Sequence, residues 1–248
     1  MQQSLSYLFI GNGRLASHMA HYFGLQNLIF ETWSRKDNSI EDLNNKVKKA
    51  NRILLLINDN AIEAFTNKYL SEIIKHPNSD KLAIHCSGSL ASKGIIGVHP
   101  LQSFTKEVKY SLNEYRKICF FYDNNELQLS FNDIFPDLSN PNYPIDTNKK
   151  AYYHALCVGA NNFTTILWQA FAERMMKEFD VPFDKVHYYL KTTTNNIKND
   201  VFSALTGPFI RNDTKTIETN LNSLNNDNFK LIYKAFLDFY NLENQTKK

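Results

Sequence analysis

Residues 5–10 form a short apolar run that ends at a glycine, and Leu15, Met19, Tyr22 and Phe23 then recur at the spacing of one helix face. That pattern predicts a strand, a tight turn and a helix. A second strand is expected over 28–33, a polar helix over 40–49, and a strand over 52–57, where Ile53-Leu54-Leu55-Leu56-Ile57 is the unbroken apolar run of a strand buried on both faces. Asn60 followed by Glu63 resembles a capping arrangement ahead of a helix through Phe65, Tyr69, Ile73 and Ile74. Strands are expected at 81–86, 95–98 and 118–122, then a short helix over 127–135 and an extended, proline-punctuated connector over 136–144. The alternation of strand and helix implies a parallel sheet covered on both faces.

Beyond Asp146 the period changes. Residues 149–179 keep a helical pattern without an internal proline, and further helices are expected over 184–205, 214–224 and 228–242. The expected fold is therefore α/β: a Rossmann-type, mostly parallel sheet domain over 1–146, followed by an all-helical domain over 147–248 that would serve substrate binding and dimerisation. Tyr152, Phe163, Ile166, Leu167, Trp168 and Phe171 make the first long helix unusually apolar, which points to a homodimer through the helical domain.

Composition narrows the partners. At 248 residues the chain suits two modest domains, and 43% hydrophobic with 21% charged residues is ordinary for a globular protein. No apolar run approaches the length of a membrane span, and the start lacks the basic and apolar segments of a secretory signal, so a cytoplasmic protein is expected. The net charge of +3 is dispersed, which excludes a nucleic-acid footprint but suits a small, anionic substrate. Cys86, Cys119 and Cys157 are distant from one another, so neither a disulfide framework nor a metal site is expected.

The chemistry begins at Gly11-Asn12-Gly13-Arg14-Leu15-Ala16. In G-x-G-x-x-A the first glycine permits the turn, the second admits a pyrophosphate close to the backbone, and the small third residue lets helix pack on strand. Gly11, Gly13 and the amides of Arg14 and Leu15 are the expected pyrophosphate ligands, at the positive end of a helix dipole. The second strand ends in Ser34-Arg35-Lys36, with no carboxylate where an NAD ribose would need one, so NADP (as NADPH) is expected in preference to NAD. Asn58, Asp59 and Asn60 fall at the carboxyl edge of the third strand and would border the cofactor, helix capping being the competing role for Asp59 and Asn60. His85 and Ser87 follow the next strand and are placed beside the nicotinamide.

GNGRLA occurs together with His85-Cys86-Ser87-Gly88-Ser89-Leu90, Gly97-Val98-His99-Pro100-Leu101-Gln102, Tyr153-His154-Ala155, Asn161-Asn162-Phe163 and Ala204-Leu205-Thr206-Gly207-Pro208. The combination resembles a Rossmann-like family of the domain-of-unknown-function 2520 type. That family is similar to pyrroline-5-carboxylate reductase, the deazaflavin-dependent NADP reductases and the 3-hydroxyisobutyrate and 6-phosphogluconate dehydrogenases. The resemblance implies an NAD(P)-binding domain, a helical carboxyl-terminal domain like that of 6-phosphogluconate dehydrogenase, and a dimer. In the hydroxyacid dehydrogenases a helix lysine precedes an Asn pair; here that position falls near Val158, which cannot donate a proton.

His99, Gln102, His154 and Asn161 are the candidate catalytic residues: an imidazole of near-neutral pKa, an amide to orient a polar group, and a second pair two helical turns apart. Structural hydrogen bonding is the competing role for each histidine. The expected activity is hydride transfer from NADPH to a C=O or C=N bond. The alternatives are a non-catalytic dinucleotide sensor and, less favoured, a flavin or deazaflavin hydride partner.

Overall fold

The computed structural model describes residues 5–75, 80–107, 109–124 and 128–245. Contacts divide the chain into two compact units, Met1–Asn162 and Phe163–Lys248. The first therefore carries, besides the sheet, the helix that follows Asp146.

In the first unit β1 (Tyr7–Ile10) leads into α1 (Arg14–Leu25), β2 (Phe30–Trp33), α2 (Ile40–Lys49), β3 (Arg52–Leu55), α3 (Asp59–Tyr69), α4 (Ser71–Lys75), β4 (Leu82–His85) and β5 (Ile96–Pro100). After these come α5 (Leu112–Tyr115), β6 (Phe120–Asp123), α6 (Phe131–Ile134) and β7 (Asn142–Ile145). The strands form one seven-stranded sheet in the order β2-β1-β3-β4-β5-β6-β7. The first five strands are parallel, β6 runs antiparallel to β5, and β7 pairs parallel to β6. This is the mostly parallel Rossmann-type sheet that the alternating pattern predicts.

Successive side chains of a strand point to opposite faces, so each central strand feeds two cores. Tyr7 and Phe9 pack with Met19, Tyr22 and Phe23 of α1, whereas Leu8 and Ile10 pack with Leu43 of α2 and Ile62 of α3. All four β1 residues are at most 1% exposed. At about 1.5–3 kcal/mol for each fully buried large apolar side chain, β1 is a principal contributor to stability.

Between β3 and β7, three elements differ from the pattern. The 136–144 connector holds β7, whose Pro144 is tolerated because an edge strand leaves one side unpaired. The short helix is confined to Phe131–Ile134, and position 127 lies outside the described residues. The helix expected from Asn60 instead starts at Asp59 with Asn58 as its cap residue, and it breaks at Leu70 before α4.

After a 3₁₀ turn at Thr147–Lys149 come α7 (Lys150–Val158), a π-helical turn (Gly159–Phe163) and α8 (Thr164–Phe179). The π turn replaces the continuous helix expected there and adds a residue to the local repeat. In the second unit, α8 ends at left-handed Asp180 and is followed by α9 (His187–Asn199), α10 (Thr214–Ser223) and α11 (Phe229–Gln245). Asp213 caps α10 by accepting from the Thr216 amide at 3.1 Å, and Arg174 clamps Asp227 with its guanidinium. No described residue of this unit is fully buried. Among the described residues no helix is long and apolar enough to cross a membrane.

Candidate functional site

The strand order reverses direction at β1, between β2 and β3, and the carboxyl ends of β1 and β3 open there into a cleft of about 570 Å³. Such a switch point is where open α/β sheets bind ligands. Its floor is the β1–α1 turn. Gly11 has φ of 127°, and a Cβ on it would overlap the Leu56 carbonyl oxygen, so glycine is required for both conformation and space. A Cβ on Gly13 would meet nothing within 4 Å. The first intrahelical bond runs from the Ser17 amide to the Gly13 carbonyl, and no side chain caps α1. The amides of Arg14 and Leu15 are therefore donors that the helix itself cannot satisfy, at the edge of a space that the fold leaves open.

The walls come from four further segments: Leu55–Asp59 after β3, Cys86 and Ser87 after β4, Ser103 and Phe104 after β5, and Asn162 in the π turn. Gly13, Arg14, Leu15, Asn58, Asp59 and Ser87 are thus brought together as the sequence pattern expected. Burial pushes the Cys86 thiol up to about 12, which makes it an inert part of the wall.

Asp59 does not cap its helix. Its carboxylate accepts the Ser87 hydroxyl at 2.5 Å, while Ser87 Oγ accepts the Leu90 amide at 3.0 Å. The pair locks the β4 loop onto the start of α3, which fixes this part of the cleft wall. His85, expected beside the nicotinamide, is 0% exposed, and it is Ser87 that faces the cleft. His85 Nδ1 accepts the Ser87 amide at 3.3 Å, and burial drives the ring down to about 3, so it serves the loop as a neutral acceptor.

At the β2 end the Ser34 hydroxyl donates to Asp37 at 2.6 Å and its amide to Asn38 Oδ1 at 3.1 Å. Ser34 is therefore buried in its own turn, and Arg35 and Lys36 are the exposed cations there.

His99 leaves β5 one residue before Pro100. Its Nδ1 lies 2.9 Å from the Tyr153 hydroxyl of α7, and its ring stands edge-on to His154 with centroids 5.9 Å apart. A Cβ on Gly88, the neighbour of Ser87, would overlap the His154 ring and stand 3.0 Å from His99 Nε2, so glycine permits this convergence. Burial, reinforced by His154 and Lys150, lowers His99 to about 4. The structure thus brings His99 and His154 together. It does not add Gln102, which is exposed and accepts the Ser103 amide at 2.9 Å within its own turn. Asn161 donates to Asn162 at 2.8 Å, and Asn162 is the one that lines the cleft. The extra residue of the π turn rotates the expected face by one position, which a regular helical spacing from His154 cannot anticipate.

One buried group has no counterpart among the sequence candidates. Lys150, 2% exposed at the start of α7, pairs with Asp123 of β6 at 2.8 Å, and Asp123 also accepts the Gly97 amide at 2.9 Å. A Cβ on Gly97 would overlap Lys150 Nζ and lie 2.5 Å from Asp123 Oδ2. This pair pins α7, and with it Tyr153 and His154, to the sheet.

Residues 118–238 match the model of the family described as Domain of unknown function (DUF2520). Similar solved structures include a Bacteroides fragilis protein described as an NADP oxidoreductase, at 23% identity and a TM-score of 0.69, with 98% of this chain and 97% of that chain covered. A Plasmodium falciparum pyrroline carboxylate reductase with NADP bound is 14% identical, with a TM-score of 0.59 and 96% of each chain covered. An imine reductase from Myxococcus stipitatus in complex with NAD+ is 13% identical, with a TM-score of 0.62 and coverage of 98% and 95%. These likenesses extend over nearly the whole chain and establish its fold. No curated protein matches it.

Proposed function

We propose that the chain is an NAD(P)-dependent oxidoreductase acting on a C=O or C=N bond of a small molecule. The observation that carries this reading is the β1–α1 turn, where a positive-φ Gly11, an open Gly13 and uncapped helix amides lie at the switch-point cleft. Backbone donors with space in front of them suit a pyrophosphate. Gly13, Arg14 and Leu15 would hold it, and Asn58, Asp59 and Ser87 would border the rest of the dinucleotide. When bound, the nicotinamide supplies the hydride; the chain's own residues orient it and shape the surrounding wall. Similar structures described as NADP- or NAD-bound reductases support the reading.

NADPH is the preferred form in this proposal. With Ser34 engaged by Asp37, recognition of a 2′-phosphate falls to Arg35 and Lys36. The test is fluorescence titration with NADPH and NADH, followed by NADPH oxidation assays against small ketones and cyclic imines. Tighter NADPH binding with substrate-dependent oxidation supports the proposal, and equal affinity for the two coenzymes removes the preference.

The chain is further proposed to pair with a second copy of itself through its helical unit. Phe202 is 95% exposed, Leu231 71%, Phe179 67% and Phe239 63%, in a unit where no described residue is fully buried. Sedimentation at micromolar concentration is expected to show a dimer, and a monomer throughout would oppose it.

A further inference from the structure

His99 is fixed at one ring nitrogen and free at the other. Its Nδ1 meets the Tyr153 hydroxyl, whereas among the described residues Nε2 has no hydrogen-bond partner and is turned toward Gly88, next to the cleft residue Ser87. Two proton arrangements satisfy this bond: Tyr153 donates to Nδ1, or Nδ1–H donates to the Tyr153 oxygen. A phenol is the stronger neutral donor and imidazole nitrogen the stronger acceptor. The first arrangement therefore prevails, and it places the His99 proton on Nε2.

We propose that His99 acts as a neutral hydrogen-bond donor through Nε2–H toward a carbonyl oxygen of the substrate, with Tyr153 as the positioning residue that sets its tautomer. This rests on the oxidoreductase reading above and selects, between its two bond types, a neutral C=O over a protonated C=N. An iminium nitrogen has no lone pair with which to accept. The surroundings agree. Tyr153 and His154 of α7 pack against His99, and Lys150 of α7 and Asp59 of α3 act on it electrostatically; burial, His154 and Lys150 together outweigh Asp59 in disfavouring positive charge on the ring. A ring held neutral can still donate, and negative charge growing on a carbonyl oxygen strengthens that bond as a transition state forms.

The test needs neither cofactor nor turnover. In full-length protein labelled with ¹⁵N-histidine, the His99 signals are assigned by their loss in His99→Gln and followed against pH for wild type and Tyr153→Phe. Wild type is expected to show a protonated Nε2 and a bare Nδ1 at neutral pH. Because a hydroxyl that donates to Nδ1 favours the neutral ring, Tyr153→Phe should raise the His99 pKa, making protonation several-fold easier for a lost bond worth about 1 kcal/mol. A proton found on Nδ1 in wild type, or a His99 pKa that falls or stays unchanged in Tyr153→Phe, overturns the proposal. If Tyr153→Phe does not fold, the wild-type tautomer alone decides. Failure of the oxidoreductase reading would show separately, as absent coenzyme binding with the tautomer intact.

Discussion

Replacing Lys150 with methionine probes the buried pair that fastens α7 to the sheet. The substitution keeps most of the apolar stem but leaves the Asp123 carboxylate, buried at 3% exposure, without its neighbouring cation while the Gly97 amide still donates to it. Removing one partner of a buried pair costs about 3–5 kcal/mol, because the survivor keeps its desolvation penalty. At about 2–4 °C per kcal/mol for a chain of this size, the melting temperature should fall by about 6–20 °C. The pH dependence adds a sign. Burial already holds the Asp123 carboxyl above the ordinary carboxylate range, with Lys150 and the Gly97 amide pulling against it. Loss of Lys150 removes that pull and raises the folded-state value further. A carboxyl raised on folding costs stability while it is ionised, and the cost disappears as pH falls through the raised value. The deficit of Lys150→Met should therefore be largest at neutral pH and shrink under mild acid. Adding Asp123→Asn, which keeps an acceptor for Gly97, should recover most of the loss. Circular-dichroism melts and urea titrations of the four proteins of this cycle measure it. A deficit below about 1 kcal/mol, typical of an exposed pair, or one that grows on acidification, refutes the reasoning.

Other outcomes follow from the same geometry. Gly11→Ala must accept φ of 127° and displace the Leu56 carbonyl, so a loss of about 1–3 kcal/mol or more in urea unfolding is expected, together with weakened coenzyme binding. Arg35→Ala combined with Lys36→Ala should weaken NADPH binding about tenfold or more while sparing NADH; equal losses for both coenzymes would count against 2′-phosphate recognition. Folding lowers His85 to about 3 and His99 to about 4 by burial, so the unfolded chain binds more protons below the ordinary imidazole value of about 6.5. Their contribution to stability is therefore full above that value and declines as pH falls toward 4. Stability measured at each pH should show this slope reduced in His99→Gln.

Much of the fold was legible because its signals are local. The helix over 40–49 coincides with α2, where an apolar Leu43 sits among charges and Ser39 caps the start. The doubly buried run at β3 announced a parallel sheet, and G-x-G-x-x-A between a strand and a helix located the cleft floor. What stayed hidden depends on tertiary contact. Lys149 and Lys150 look alike in sequence, yet one is exposed and the other is enclosed by Asp123 and Gly97, elements far along the chain. Asn161 was favoured over Asn162 because a constant helical repeat was assumed across Gly159, where the π turn intervenes. Capping stays open for Asp59 in the sequence because its actual partner, Ser87, is supplied by the next strand. Tyr153 stood in a quoted motif, but its role became visible only with its distance to His99.

The central claim is that a nicotinamide dinucleotide lies against the amides that open α1, and titration calorimetry of wild type and Gly13→Val with NADPH tests it most directly. Gly13 has an ordinary φ of −75° and nothing within 4 Å of a Cβ, so the variant should melt with wild type. Saturable heat from wild type and none from the equally stable variant is the expected result. Silence from wild type with both NADPH and NADH, or undiminished binding by Gly13→Val, would contradict it.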